Sequence, residues 1–142
     1  MNIEYKINAV VSTEQFIELL KTSSLAERRP VDNKPCLQGM LENSNLIVSA
    51  WAETKLIGIA RSMTDFHYAC YLSDLAVDKQ FQNTGVGTKL QTLTQEQLGP
   101  ECKLILIAAP AANAYYEKLG FTQNNRCWVL NRNQQINSNK KT

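Results

Sequence analysis

The stretch Tyr71 to Leu93, YLSDLAVDKQFQNTGVGTKLQTL, constrains this chain more than any other. An apolar strand pattern (Tyr71, Leu72, Leu75, Ala76, Val77) passes through the polar turn Asp78-Lys79-Gln80 into Gln82-Asn83-Thr84-Gly85-Val86-Gly87. Val86, Leu90 and Leu93 then recur at helical spacing. This is a strand feeding a helix through a glycine turn. Two glycines at a helix mouth let backbone approach a ligand closely, and the first helical N–H groups have no partner within the helix. With the positive end of the helix macrodipole added, the place suits a phosphate or pyrophosphate.

Three kinds of glycine turn compete for it. A P-loop needs Lys and then Ser or Thr directly after its last glycine, whereas Gly87 is followed by Thr88 and Lys89, with no glycine five residues upstream. A dinucleotide fingerprint needs a third glycine where Leu90 stands and an acidic residue about twenty positions on. The next apolar run ends instead in Ile107-Ala108-Ala109-Pro110. The order that fits is Val77, four residues, Gln82, two residues, Gly85, one residue, Gly87. It closely resembles the acyl-CoA signature of the GNAT superfamily of N-acetyltransferases. A second block, Ala112-Asn113-Ala114-Tyr115-Tyr116-Glu117-Lys118-Leu119-Gly120-Phe121, resembles the C-terminal element of the same superfamily, a helical tyrosine ahead of a Gly-Phe pair.

The resemblance implies an α+β fold, an α/β/α sandwich whose mixed, mostly antiparallel sheet has splayed central parallel strands and flanking helices. It implies acetyl-CoA as co-substrate and no metal. The backbone of Leu75, Ala76 and Val77 would pair with the pantetheine arm as an added strand would. Gln82, Asn83, Thr84, Gly85, Val86, Gly87, Thr88 and Lys89 would wrap the pyrophosphate, and Asn113 would hydrogen-bond the cofactor. Lys79, Lys89 and Lys118 are candidates for the adenosine 3′-phosphate, or plain solvated lysines.

The 142 residues, 44% hydrophobic, suffice for one domain with a real core, expected over residues 1–131, with 132–142 a polar, disordered tail. A net charge of +2 and the lack of a basic stripe point away from nucleic acid. The longest apolar run, Leu104 to Ala112, contains a proline and falls well short of the roughly 18 residues a membrane span needs. The start Met1-Asn2-Ile3-Glu4 lacks the features of a signal peptide, so a cytoplasmic monomer or homodimer is expected. Cys36, Cys70, Cys102 and Cys127 show no metal-ligand spacing, and read as small apolar fillers rather than disulfides, zinc ligands or nucleophiles.

In chain order, Ile3 to Val10 reads as a strand, and Ser12 or Thr13 caps a helix whose Phe16, Ile17, Leu19 and Leu20 form an apolar face. Thr22 to Pro35 is a charged break, with a short helix following around Leu37 to Leu41. Leu46 to Ala52 and Leu56 to Arg61 form a hairpin through Glu53-Thr54-Lys55. The glycine-turn helix ends at Gly99-Pro100. Lys103 to Ala108, KLILIA, reads as a strand buried on both faces, Pro110 opens a helix that Gly120 stops, and Arg126 to Leu130 is a last strand.

For catalysis, Tyr116 matches the family's tyrosine that serves the leaving thiolate, and the Leu75 N–H would face the oxyanion. Asp74, one residue earlier, is either a general base or a hydrogen-bonded structural aspartate. His67, Tyr71 and Glu42 are further candidates for the base. In the family, the first helical region shapes the acceptor pocket, here Thr22 to Pro35 with Tyr5, Trp51 and Tyr68, where Arg28 and Arg29 could hold an anionic group. The expected reaction is direct attack of a small-molecule primary amine, such as an arylalkylamine or polyamine, in a ternary complex. The alternatives are acetylation of protein lysines, protein N-termini or aminoacyl-tRNA, and a non-catalytic acyl-CoA binding module.

Overall fold

The computed structural model describes residues 2–139, which fall into two compact units, Met1–Ile107 and Ala108–Thr142. The first unit runs β1 (Ile3–Ile7), α1 (Thr13–Thr22), a 3-10 turn (Leu25–Arg28), α2 (Lys34–Glu42), β2 (Leu46–Ala52), β3 (Lys55–Thr64) and β4 (Ala69–Val77). A second 3-10 turn (Lys79–Phe81) leads into α3 (Val86–Glu96), and β5 (Lys103–Ile105) follows. The five strands lie side by side in chain order. The first three pairings are antiparallel and β4 with β5 is parallel.

Local chemistry sets these elements. A reciprocal capping box starts α1: the Gln15 N–H donates to Ser12 Oγ at 3.1 Å, and the Ser12 N–H donates to Gln15 Oε1 at 2.9 Å. Asn33 caps α2 by accepting from the Cys36 N–H, and Pro35 occupies the first turn, where no N–H is needed. Phe16, Leu19, Leu20 and Leu37 pack with Ile47, Trp51, Ile59 and Ala76 on one sheet face. Val86 and Leu90 of α3 pack with Val48, Ala50, Ile57, Ala60 and Leu72 on the other. With both faces covered, the middle strands β2 and β3 are buried along almost their whole length.

Several boundaries differ from the sequence expectation. β1 stops at Ile7 because Asn8 turns to a φ of 57°, its N–H donating to the Ile47 carbonyl and its side chain accepting from the Ile47 N–H. β3 runs on to Thr64, which places Arg61 inside the strand. KLILIA forms only the three-residue β5 and is not buried on both faces: Ile105 and Ile107 are 40% and 56% exposed. β5 is the sheet's last strand, so one flank lacks a neighbour among the described residues.

In the second unit a 3-10 turn (Pro110–Ala112) precedes α4 (Asn113–Lys118). The expected strand at Arg126 to Leu130 does not form, and Trp128 there is 91% exposed. No ladder among the described residues pairs with it, and a lone strand has nothing to offset its ordering entropy. Of the expected tail, 132–139 contains turns and chain outside any helix or strand, and 140–142 lie outside the described residues.

Candidate functional site

β4 and β5 pair at Ala69↔Lys103, Cys70↔Leu104 and Tyr71↔Ile105, and the ladder ends there. β4 nevertheless stays paired with β3 as far as Val77↔Gly58. From Leu72 onward one edge of β4 therefore has no ladder partner among the described residues, as parallel strands that splay would leave it. The register against β3 shifts at the same place: Leu72 lies opposite Ser62 and Asp74 opposite Arg61, so Ser73 is the extra residue of a β-bulge.

Beyond the bulge, peptide direction follows from one hydrogen bond. The Asp78 N–H donates to the Ile57 carbonyl at 2.8 Å. Antiparallel neighbours alternate in direction, so Ala76, opposite Ile59, turns its N–H and C=O toward β3, whereas Leu75 and Val77 turn theirs toward the open edge. Of the three residues expected to hold pantetheine through their backbone, two present it. Ala76 is taken up by the ladder, a correction to the sequence reading. The Val77 carbonyl accepts from Gln82 Nε2 at 3.0 Å, which latches the turn onto the strand end.

At the mouth of α3, Gly85 is the N-cap with a φ of 90°, a left-handed conformation that glycine adopts without strain, and no side chain caps the helix. The intrahelical ladder begins with the Lys89 N–H donating to the Gly85 carbonyl. The amides of Val86, Gly87 and Thr88 thus precede it, with no capping side chain to receive them. The turn's own side chains point their donors elsewhere: Gln82 to Val77, and the Thr84 hydroxyl to the Phe81 carbonyl. Gln82, Asn83, Thr84, Thr88 and Lys89 are exposed. Uncapped amides, a dipole end and no Cβ at Gly85 fit an anionic group such as a pyrophosphate.

Gly58, which the sequence reading passed over, seats this helix. A Cβ there would lie 3.0 Å from Leu90 Cδ1, 3.2 Å from Val86 Cγ1 and 3.3 Å from Ala50 Cβ. The lack of a side chain on β3 lets the first turn of α3 settle on the sheet. An isolated glycine in an otherwise apolar strand was the available signal.

Asp74 is fully buried and held by two arginines, Arg29 Nε to Oδ1 and Arg61 Nε to Oδ2, each at 2.5 Å. The Arg29 Nη2 also donates to the Ser73 carbonyl at 2.8 Å, and the Arg61 Nη2 donates to Ser73 Oγ at 2.9 Å. The structure thus presents Asp74 as the hydrogen-bonded structural aspartate and not as an open base, since both its oxygens are claimed by guanidinium groups. Arg29 is likewise committed to β4 and not held out toward an acceptor, while Arg28 is exposed. A charged residue inside each of two otherwise apolar runs, Arg61 and Asp74, was the signal for this pair.

In the second unit, the Gly-Phe pair is a helix stop. The Phe121 N–H donates to the Tyr116 carbonyl and the Gly120 N–H to the Glu117 carbonyl, with Gly120 at a φ of 97°. This is a Schellman cap, completed by edge-to-face contact between the Tyr116 and Phe121 rings at 5.5 Å. The cap therefore orients Tyr116. Burial and the neighbouring Tyr115 push the Tyr116 phenol above its ordinary value. Asn113 opens α4 and is exposed.

Among the other expected participants, His67, Lys79, Lys89 and Lys118 are exposed. His67 sits in a loop that Asp65 organises by accepting the N–H groups of His67, Tyr68 and Ala69, which holds the Asp65 carboxyl below its usual range. All four cysteines are free. Cys70 alone is a buried filler, its thiol pushed up by burial, whereas Cys36 and Cys127 are exposed.

A family model described as acetyltransferase (GNAT) domain matches residues 13–132. The chain belongs to the GNAT acetyltransferase family. Curated relatives include the uncharacterized N-acetyltransferase ycf52 of Pyropia yezoensis, 28% identical over 130 residues, with 84% of this chain and 72% of the relative covered. A ycf52-like N-acetyltransferase of Prochlorococcus marinus is 28% identical over 139 residues, covering 86% and 75%. The fold is shared with a GNAT protein of Streptococcus pneumoniae (TM-score 0.72, 21% identity, 92% and 99% covered). It is also shared with the aminoglycoside N-acetyltransferase AAC(6′)-Iy in complex with CoA (TM-score 0.70, 18% identity, 93% and 95% covered). The protein is thus a GNAT N-acetyltransferase, from a family that uses acetyl-CoA, with the family's mixed sheet and flanking helices. Among the described residues no helix is long and apolar enough to cross a membrane.

Proposed function

We propose that this GNAT protein transfers the acetyl group of acetyl-CoA to a primary amine of a small molecule, by direct attack in a ternary complex, with residues 1–131 acting as one domain. The observation that carries this is the uncapped mouth of α3 beside the open edge of β4. The amides of Val86, Gly87 and Thr88, with the Thr88 hydroxyl, would hold the pyrophosphate while Leu75 and Val77 pair with the amides of the pantetheine arm. Asn113 would add a hydrogen bond to the cofactor, on the family's pattern. A fold neighbour, an aminoglycoside acetyltransferase in complex with sisomicin, supports a small amine as acceptor.

The chemistry asks three things of the chain. The attacking amine must be neutral, and with a pKa of about 10.4 only a small fraction is so at neutral pH. The oxyanion needs a fixed donor, and the Leu75 N–H faces the open edge where it would form. The departing thiolate needs a hydrogen bond, which a protonated phenol supplies. Because burial raises the Tyr116 phenol above its usual value of about 10, it stays protonated through neutral pH, and on the family's pattern it would stabilise the thiolate more than hand over its proton. Nitrogen first bonds the acyl carbon, moving the carbonyl electron pair onto oxygen; the pair then returns as the C–S bond breaks, and the proton shed by the amine matches the one the thiol takes up. Asp74 serves this by holding the strand.

An amine panel with acetyl-CoA, read by free thiol release, tests the proposal. Small amines should release thiol, and Tyr116→Phe should lower kcat by roughly a hundredfold, the lower end of what a positioned acid contributes. Acetyl-CoA binding without turnover of any amine would mean a binding module instead. Acetylated protein or aminoacyl-tRNA, with every small amine untouched, would move the acceptor to a macromolecule.

A further inference from the structure

The bulge at Ser73 stands two residues past the last β4–β5 pair, at the point where the strands part. A bulged residue leaves the ladder, so its polar groups need partners from elsewhere. Here the partners are two guanidinium groups. Four charge-assisted bonds converge on two consecutive residues: Arg29 and Arg61 each bind one Asp74 oxygen, Arg29 takes the Ser73 carbonyl, and Arg61 takes the Ser73 hydroxyl. Arg61 is 4% exposed and also reaches Ser44 Oγ and the Met40 carbonyl, so it anchors the end of α2 as well as the bulge. Arg29 differs. Its side chain is 21% exposed and, apart from the adjacent Arg28 carbonyl, reaches only Ser73 and Asp74 among the described residues. It enters from the segment between α1 and α2, 45 residues from Asp74 in sequence.

We infer that Arg29 is a positioning residue for acetyl transfer, fixing the direction in which β4 leaves the bulge and so the aim of the Leu75 and Val77 peptide groups. This builds on the acetyl-CoA reading of the open edge, and adds the group that sets its geometry. A forked guanidinium is needed, because one side chain must meet a carboxylate and a carbonyl at once. Lysine, a point donor on a flexible stem, cannot hold both in one plane.

The test is amide hydrogen exchange on the free protein, with Arg29→Lys against wild type, followed by calorimetric titration of both with acetyl-CoA. Exchange of the β4 amides that face β3 beyond the bulge, Ala76 among them, should quicken roughly tenfold in Arg29→Lys, the scale of one lost charge-assisted hydrogen bond, while β2 and α3 keep their rates. Affinity for acetyl-CoA should fall by a similar factor. Leu37→Ala, a core truncation that removes no bond to Ser73 or Asp74, should lower the thermal midpoint with affinity unchanged, which separates positioning from plain stability. Unchanged β4 exchange in Arg29→Lys, or a uniform rise over all elements, overturns the inference. Wild-type protein that fails to bind acetyl-CoA, while Arg29→Lys still loosens β4 alone, would sink the proposed activity and leave the strand-positioning role intact.

Discussion

Two ends of one open strand edge are built on opposite terms. At Ser73 and Asp74 the protein supplies its own partners, two arginines whose guanidinium groups claim a carbonyl, a hydroxyl and both oxygens of a carboxylate. Eleven residues past Asp74, at the mouth of α3, the cap is a glycine with no side chain to offer, and the first amides are left for whatever arrives. The saturated end can be rigid because it binds nothing else. The unsaturated end can bind because the chain has declined to satisfy it, and its rigidity has to come from packing below, through Gly58, Val86 and Leu90.

Three substitutions sharpen or break this contrast. The largest effect is expected at the saturated end. Asp74→Asn removes the charge between two guanidinium groups and should lower stability by about 3–5 kcal/mol, the cost of breaking a buried ion pair, in a urea titration. A loss no larger than that of an exposed pair would mean that the clamp is ornamental. Gly58→Val should cost less, about 1–3 kcal/mol, since its methyls must push α3 off the sheet. It should also weaken acetyl-CoA binding out of proportion to its stability cost, measured by calorimetry. Gly85→Ala is the mildest. Nothing lies within 4 Å of a Cβ there, so only the left-handed φ is penalised, by about 1–2 kcal/mol in thermal melts. Its affinity should drop through the helix mouth alone, with β4 exchange untouched; a change at the bulge would show that the two ends are not separate.

Much of this was legible from residue order, because the signals are local. The glycine turn after a strand, the Ser12 or Thr13 cap, the Glu53-Thr54-Lys55 connection between two apolar runs and the Gly120 helix stop each act within a few residues; the structure keeps all four, with Ser12 as the cap and Lys55 already inside β3. What escaped is what depends on partners far along the chain. Arg29 and Asp74 look like an exposed loop arginine and a possible base until the fold brings them together. KLILIA is apolar enough for a central strand, but position at the sheet edge, which the run itself does not encode, decides its burial. Arg126 to Leu130 has strand composition and no ladder to join among the described residues. Ala76 was grouped with its neighbours because backbone polarity alternates with the pairing partner, which is unknown until the register is seen.

The early end of the β4–β5 ladder also says what kind of molecule the edge can read. Leu72–Val77 has no parallel ladder partner among the described residues, and within it the backbone groups left for a ligand are those of Leu75 and the Val77 N–H, at about 3.3 Å per residue roughly 7 Å apart. On the proposed reading, a donor lying along this edge would be gauged by the spacing of its carbonyls and amides, as by a ruler, and the side chains that β4 sends above and below would take no part in the measurement. Conservative apolar exchanges along this strand should therefore be well tolerated, while a single inserted or deleted residue should be ruinous.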